Sequence, residues 1–310
     1  MSPPSAQQPQ ASAGGPVAAT ALVGMLSLTE VAPDSYAGAS GGDSLYGSAQ
    51  RRFGGELLAQ ALHAAQLTIA RGGDGGTRPV HSLHAYFIRP AHPAREVVYR
   101  VQRIRDGRSF SIRSVEGWQD DALAFVLDAS FQAPERGFEH AAAMPDVPPP
   151  EAVPGEQSRF DAARAADPGR FASWPASWHA DRGPFETRTV EDLWRAQVYA
   201  PQMNVWVRLR EPVDDLSLHP AIAAYYSDDP VMDNALLPHL GRFHGGALTT
   251  ASLDHAMWFH EQIDLRQWHL FAQDSPIASG ARGLTRGHLF DRAGRLVASV
   301  AQEILMRPRP

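Results

Sequence analysis

Ser252, Asp254 and His255 stand close together in the stretch 243–260, FHGGALTTASLDHAMWFH. A hydroxyl, a carboxylate and an imidazole are groups that orient a nucleophile or move a proton. Gln302 is a further candidate, in VASVAQEILM over 297–306. Read as a strand, residues 296, 298, 300, 302, 304 and 306 share one face, and all but Gln302 are apolar. A buried amide without a partner is destabilising by roughly 1–3 kcal/mol, so Gln302 must bond something specific. That partner is a reacting group or backbone at a sheet end, and the residues alone leave both open. Ser40, in GASGG over 38–42, formally matches the G-x-S-x-G of a serine esterase. A nucleophile elbow needs a buried strand before the serine and a helix after it. Here PDSY precedes and GGDS follows, which reads as loop. The HGG at 244–246 also follows Ser40, whereas the lipase oxyanion motif precedes its serine.

The elements that must carry these groups look duplicated. FGGELLAQALHAAQLTI, over 53–69, aligns without a gap on the stretch around Gly245. Gly54 and Gly55 match Gly245 and Gly246, Leu57 matches Leu248, Leu62 matches Leu253, and Ala65 matches Ala256. Each is a helix-length apolar pattern behind a Gly pair, so long helices are predicted over 53–70 and 246–260. Ser252, Asp254 and His255 would then ride on the second, with Ala61 opposite Ser252 and His63 opposite Asp254. The strands 122–132 and 296–306 correspond as well, and setting Leu123 against Leu296 brings Ala129 opposite Gln302. Polar residues gained in only one copy mark where chemistry is expected.

Taken in order, 1–20 is Pro-, Ala-, Gln- and Ser-rich and reads as a disordered tail. Residues 21–31 form a short helix or strand lead-in, and 33–52 read as loop. After the first long helix, strands are predicted over 80–89, 95–105, 109–118 and 122–132. Prolines at 145, 148, 149, 150 and 154 break regular structure, leaving a linker with one short helix around 160–166. Strands over 187–196 and 204–210 follow, then a short helix over 219–226 and a polar loop over 227–240. Beyond the second long helix come strands over 268–273, 279–290 and 296–306. A helix covering an antiparallel meander, written twice, is an α+β plan. The domains are set at 21–135 and 183–310, with a Pro-rich linker over 136–182.

Composition excludes several chemistries. All 28 basic residues are Arg, so a P-loop, a Schiff-base lysine and a Ser–Lys dyad are impossible. With no Cys, so are disulfides, thiolate nucleophiles and Cys-based zinc or iron–sulfur sites. The net charge of −6 argues against a nucleic-acid surface. No apolar run reaches the ~18 residues of a membrane span, and the start lacks a signal peptide's pattern, which points to the cytoplasm.

Several long motifs occur together in one order. They are FGGELLAQAL (53–62), VHSLHAYFIRP (80–90), RDGRSFSIRSV (105–115), ASFQAPERGFEH (129–140), YYSDD (225–229), ASLDHAMWFH (251–260), GARGLTRG (280–287) and VASVAQEILMR (297–307). Through them the chain resembles the TesB-like, type II acyl-CoA thioesterases from 21 to 307, the variable linker excepted. The resemblance implies a tandem (double) hotdog, two antiparallel sheets each wrapped around a long helix. It implies hydrolysis of acyl-CoA to free fatty acid and CoA, with no cofactor and no metal. The family's catalytic Asp, placed before the second helix, falls on Asp228, with Asp229 beside it as the one-residue alternative. Its Ser or Thr falls on Ser252, and its Gln on Gln302.

In such a reaction Asp228 takes a proton from water, Ser252 and Gln302 orient that water, and N–H groups at a Gly-rich helix start, Gly245 or Gly246, stabilise the oxyanion. With no Lys, the CoA phosphates must meet Arg, backbone or solvent, and Arg89, Arg282 and Arg286 are candidates, each equally able to be a structural ion pair. Hotdog units associate further, so a homodimer or larger homo-oligomer is expected. Two rival readings remain: an acyl-CoA-binding protein of this fold without catalysis, and a hotdog enoyl-CoA hydratase using Asp254 and His255. Adjacent helix residues point about 100° apart, which disfavours that pair and leaves His255 a satisfied interior histidine.

Overall fold

Residues 19–38, 51–70, 78–169, 183–194, 199–242 and 248–308 are described by a computed structural model. The chain opens with helix α1 (Ala19–Leu26) and strands β1 (Leu28–Ala32) and β2 (Ser35–Gly38), then helix α2 (Gly54–Ala70). Strands β3 (Val80–Phe87), β4 (Val97–Asp106), β5 (Phe110–Gln119) and β6 (Ala122–Gln132) follow. Helix α3 (Glu156–Ala166) precedes β7 (Phe185–Thr189), β8 (Gln202–Leu209) and helix α4 (His219–Leu236). Strands β9 (Leu248–Ser252), β10 (Asp254–Phe259), β11 (His269–Ser279), β12 (Arg282–Asp291) and β13 (Leu296–Pro308) complete the chain.

All pairings are antiparallel, in one 13-stranded sheet of order β1-β2-β4-β5-β6-β3-β10-β13-β12-β11-β8-β7, with β9 beside β13. The order is a palindrome about the β3–β10 pair. Each half runs outward from a strand that follows its long helix (β3 or β10), through its last strand, to the two strands before the helix. Helix α2 lies on β2 to β6 and α4 on β10 to β13, and the two helices also pack on each other. Because α2 is enclosed, it is apolar nearly all round: Leu57, Leu58, Ala59, Ala61, Leu62, Ala64 and Ala65 are all buried. Its one deep amide, Gln60, accepts from the Tyr99 hydroxyl at 2.8 Å and donates to the Met25 carbonyl at 2.8 Å.

Three expectations are corrected. No helix spans 248–259; the chain there is β9 and β10. Along β10, His255, Met257 and Phe259 are buried while Ala256 and Trp258 are not, a period of two. Ser252 and Asp254 therefore stand on strands, and the match to 53–69 is between a helix and two strands. The second long helix is α4, over the predicted short helix and polar loop. Pro230 suggests a break, since it removes the N–H that would bond the Tyr226 carbonyl. Yet α4 continues through it, with Tyr225, Tyr226, Pro230 and Val231 all buried. Asp228 consequently sits on a helix rather than in a loop. Finally, β2 lies within the predicted loop 33–52, paired with β1 across a turn at Asp34, which has φ 53°.

The short helix expected around 160–166 is α3. Before it, Met144, Val147 and Val153 pack with Trp206, Trp268, Leu270 and Phe290, and the Trp206 indole N–H donates to the Pro148 carbonyl at 2.9 Å.

Where α2 meets α4, a Cβ added to Gly55 would lie 2.2 Å from the Tyr225 carbonyl oxygen and 2.4 Å from the Phe53 ring. Backbone cannot yield as a flexible side chain can. Gly55→Ala should therefore destabilise the fold by about 1–3 kcal/mol through overpacking, against the smaller gain in helix propensity. Thermal unfolding should show a fall in Tm of several degrees; an unchanged or raised Tm would show slack between the helices.

Candidate active site

An irregularity in the sheet builds the site. β13 pairs Ile304 with Ser252 on β9 but Ala301 with Ala256 on β10, so four steps on one side oppose three on the other. That extra residue is a bulge, a device that re-aims side chains. Leu253 bridges the gap, its N–H donating to the Glu303 carbonyl at 2.9 Å and its carbonyl accepting from Phe87 N–H at 3.0 Å. Asp254 Oδ1 accepts the Glu303 N–H at 2.7 Å, so this carboxylate serves the backbone.

Asp228, Ser252 and Gln302 meet beside this bulge. The Ser252 hydroxyl donates to Asp228 Oδ1 at 2.8 Å. The Gln302 amide nitrogen donates to the same oxygen at 3.0 Å and lies 3.0 Å from Ser252 Oγ. Asp228 is 1% exposed and Gln302 0%, whereas Ser252 keeps some access to solvent. The buried amide is thus satisfied by a polar cluster rather than at a sheet end. Asp229 makes neither contact with Ser252 nor with Gln302 among the described hydrogen bonds, so Asp228 is the carboxylate of the cluster. Asp229 keeps part of its surface accessible, but enclosure by protein, then Asp233 and Asp228, push its carboxyl well above the usual range.

The first half of the chain also reaches the site. A Cβ added to Gly54 would lie 2.7 Å from Asp228 Oδ2 and 2.8 Å from the Phe87 ring. The start of α2 is therefore against the second carboxylate oxygen, where the N-terminal end of a helix favours negative charge. Neither Gly54 nor Phe87 was singled out by sequence as a site residue. Only the Gly pair ahead of an apolar run signals the first.

Behind the cluster, His255 is 1% exposed. Its Nδ1 makes a short hydrogen bond with Gln302 Oε1, and its Nε2 lies 3.0 Å from Ser227 Oγ. The expected interior histidine is found, satisfied in part by the site itself. Asp254 and His255 form no pair with each other, as the hydratase reading would need. In the first half, Leu83 on β3 is paired with Ala129 on β6 where His255 and Gln302 meet in the second. One half is apolar at this place and the other polar.

The remaining candidates separate. Gly245, Gly246 and Ser40 lie outside the described residues; β9 begins at Leu248, and the helix that Gly246 was to open is absent. Arg282 is paired with Glu303 at 2.8 Å, and Arg286 holds Asp274, with one bond at 3.0 Å. Arg89 is exposed and has no side-chain partner among the described residues. It lines a cleft of about 310 Å³ with Pro90, His92, Arg95, Gln119 and Asp120, two residues beyond Phe87.

Comparison with known proteins gives the family. Residues 179–305 match the family described as acyl-CoA thioesterase, and 45–132 match the acyl-CoA thioesterase N-terminal domain. Acyl-coenzyme A thioesterase 8 of Mus musculus is 36% identical, covering 85% of this chain and 82% of its own. Acyl-CoA thioesterase 2 of Haemophilus influenzae is 34% identical, covering 82% of this chain and 87% of its own. The crystal structure of the acyl-CoA thioesterase II TesB2 from Mycobacterium marinum superposes with a TM-score of 0.73 at 35% identity, covering 92% of this chain and 97% of that one.

Gly54→Ala tests how tightly the carboxylate is held. The added methyl must displace Asp228 or the Phe87 ring, so turnover should fall at least about tenfold, as misplacement of a reacting group does. The far-ultraviolet circular dichroism should be unchanged. Wild-type turnover in Gly54→Ala would show that Asp228 has room to spare.

Proposed function

Because this chain belongs to the type II acyl-CoA thioesterase family, we propose that Asp228, Ser252 and Gln302 are the groups with which it performs its reaction. It is an acyl-CoA thioester hydrolase with a hotdog fold. The observation that carries the assignment is one carboxylate oxygen receiving both the Ser252 hydroxyl and the Gln302 amide.

In the mechanism we favour, water sits against the three side chains. Ser252 and Gln302 fix its position, and Asp228 accepts its proton as its oxygen attacks the carbonyl carbon. The carbonyl oxygen becomes an oxyanion, which N–H groups in the first turn of α2, beside Gly54, stabilise in place of the expected Gly245 and Gly246. Collapse breaks the C–S bond. The proton held on Asp228 passes to the departing thiolate, leaving a carboxylic acid and CoA. Ser252 forms no acyl-enzyme in this scheme.

The palindromic strand order supports a tandem hotdog with units at 21–135 and 183–310 joined through 136–182. A homodimer or larger homo-oligomer in the cytoplasm completes the reading, and among the described residues no helix is long and apolar enough to cross a membrane. Arg89, without a side-chain partner among the described residues at the cleft beyond Phe87, is the candidate for a CoA phosphate that the ion-paired Arg282 and Arg286 are less free to meet.

Asp228→Asn should lower kcat about 10²–10⁴-fold, the usual contribution of a general base, while Asp229→Asn stays active. Ser252→Ala and Gln302→Ala should lower kcat more than they raise KM. Steady-state release of CoA from an acyl-CoA series reads all four. Full activity in Asp228→Asn, or acylated Ser252 in mass spectra during turnover, would overturn the scheme.

Arg89→Ala should raise KM for acyl-CoA by about tenfold or less, since the contact is charge-assisted but exposed, and leave KM for an acyl-pantetheine unchanged. Equal effects on both substrates would remove Arg89 from phosphate recognition.

A further inference from the structure

His255 is buried against the back of the site, and the hydrogen-bond inventory there has few solutions. Asp228, as a carboxylate, only accepts, so the end of the Gln302 amide that faces it at 3.0 Å must be the NH2. Gln302 Oε1 then points the other way, at His255 Nδ1. A carbonyl oxygen cannot donate, so Nδ1 carries the proton. Burial pushes the His255 ring below its ordinary range, against the opposing pull of Asp228 and Gln302, so the ring is neutral and holds one proton. Its Nε2 is thus a bare lone pair facing Ser227 Oγ at 3.0 Å. The Ser227 hydroxyl lies between that nitrogen and the Ala224 carbonyl at 3.1 Å, and it has one proton to give. Directed to Nε2, that proton completes a one-way chain from Ser227 through His255 and Gln302 to Asp228.

We infer that His255 is a positioning residue whose Nδ1–H holds the Gln302 amide with its NH2 turned toward Asp228 and Ser252. The inference rests on the assignment of Gln302 to the reaction. In the other tautomer a lone pair on Nδ1 would face the lone pairs of Oε1. The amide would then turn over and set its oxygen against the Asp228 carboxylate. Partners select the tautomer, as His219 shows by contrast: its Nε2 faces the Val213 carbonyl at 2.8 Å and its Nδ1 accepts the Leu265 N–H at 3.0 Å, which is the opposite form. At the corresponding place the first half has no amide to orient: Leu83 stands there, paired with Ala129.

His255→Leu removes the donor and keeps a buried, apolar side chain of similar size. Its kcat should fall about 10- to 100-fold with KM within about twofold, the mark of a misoriented reacting group. His255→Asn, whose amide N–H stands close to where Nδ1–H stood, should recover most of that rate. Combined with Gln302→Ala, His255→Leu should add no further loss, because the amide it serves is gone. Should His255→Leu fail to fold, His255→Asn against His255→Gln carries the test: the longer amide overshoots, so Asn should be active and Gln impaired. Wild-type kcat in His255→Leu alongside an impaired Gln302→Ala would overturn the positioning role and leave the catalytic assignment standing. Losses that multiply in the double variant, or Asn no better than Gln, would also overturn it. Full activity in Gln302→Ala would overturn both.

Discussion

A carboxylate accepts hydrogen bonds and donates none, and that one-way property organises the site around Asp228. It sets the direction of the Ser252 hydroxyl, the face of the Gln302 amide and, one bond further back, the protonated nitrogen of His255. An exposed carboxylate would leave these groups free to rearrange with water. Here Asp228 and Gln302 are buried, and an unpaired polar group in such surroundings is destabilising by roughly 1–3 kcal/mol. With Nδ1–H toward Gln302 and the amide NH2 toward Asp228, each of these groups finds a partner.

Holding a carboxylate in that place requires two helices to come close. Gly54 and Gly55 open α2 against α4, where a side-chain carbon would strike Asp228 Oδ2 or the Tyr225 carbonyl. Glycine is needed here for approach, not for a left-handed backbone. The same contact brings the start of α2 to the second carboxylate oxygen, so a residue of the second half works against a helix end of the first. The palindromic sheet makes this geometry possible, because the central β3–β10 pair sets the two long helices side by side.

The halves share a plan but differ in what fills it. Helix α2 buries mostly apolar side chains, and of its deep polar groups, Glu56, Gln60 and Thr68, the Gln60 amide is bound by Tyr99 and backbone. Helix α4 carries Ser227, Asp228 and Asp229 in consecutive positions and passes through Pro230. Leu83 and Ala129 in one half stand where His255 and Gln302 stand in the other. At this one place the first half is apolar, while the second half carries polar groups that must satisfy one another.

Much of this was legible in the residues. The strands of both meanders, the first long helix and the oddity of Gln302 among apolar neighbours follow from period and composition. The absence of Lys and Cys removes whole classes of chemistry without any structure. Where the second long helix lies was not legible: a short apolar run such as ASLDHAMWF suits a buried strand as well as a helix, and Pro230 looks like a stop. Tertiary structure decided both, because β10 gains its partners from β3 and β13, elements about 170 and 45 residues away in the chain, and α4 is held by burial on both sides of its proline. Asp228 over Asp229, and His255 behind Gln302, were decided in the same way. Adjacent residues on a helix point about 100° apart, and only the packed neighbours determine which of them faces the site.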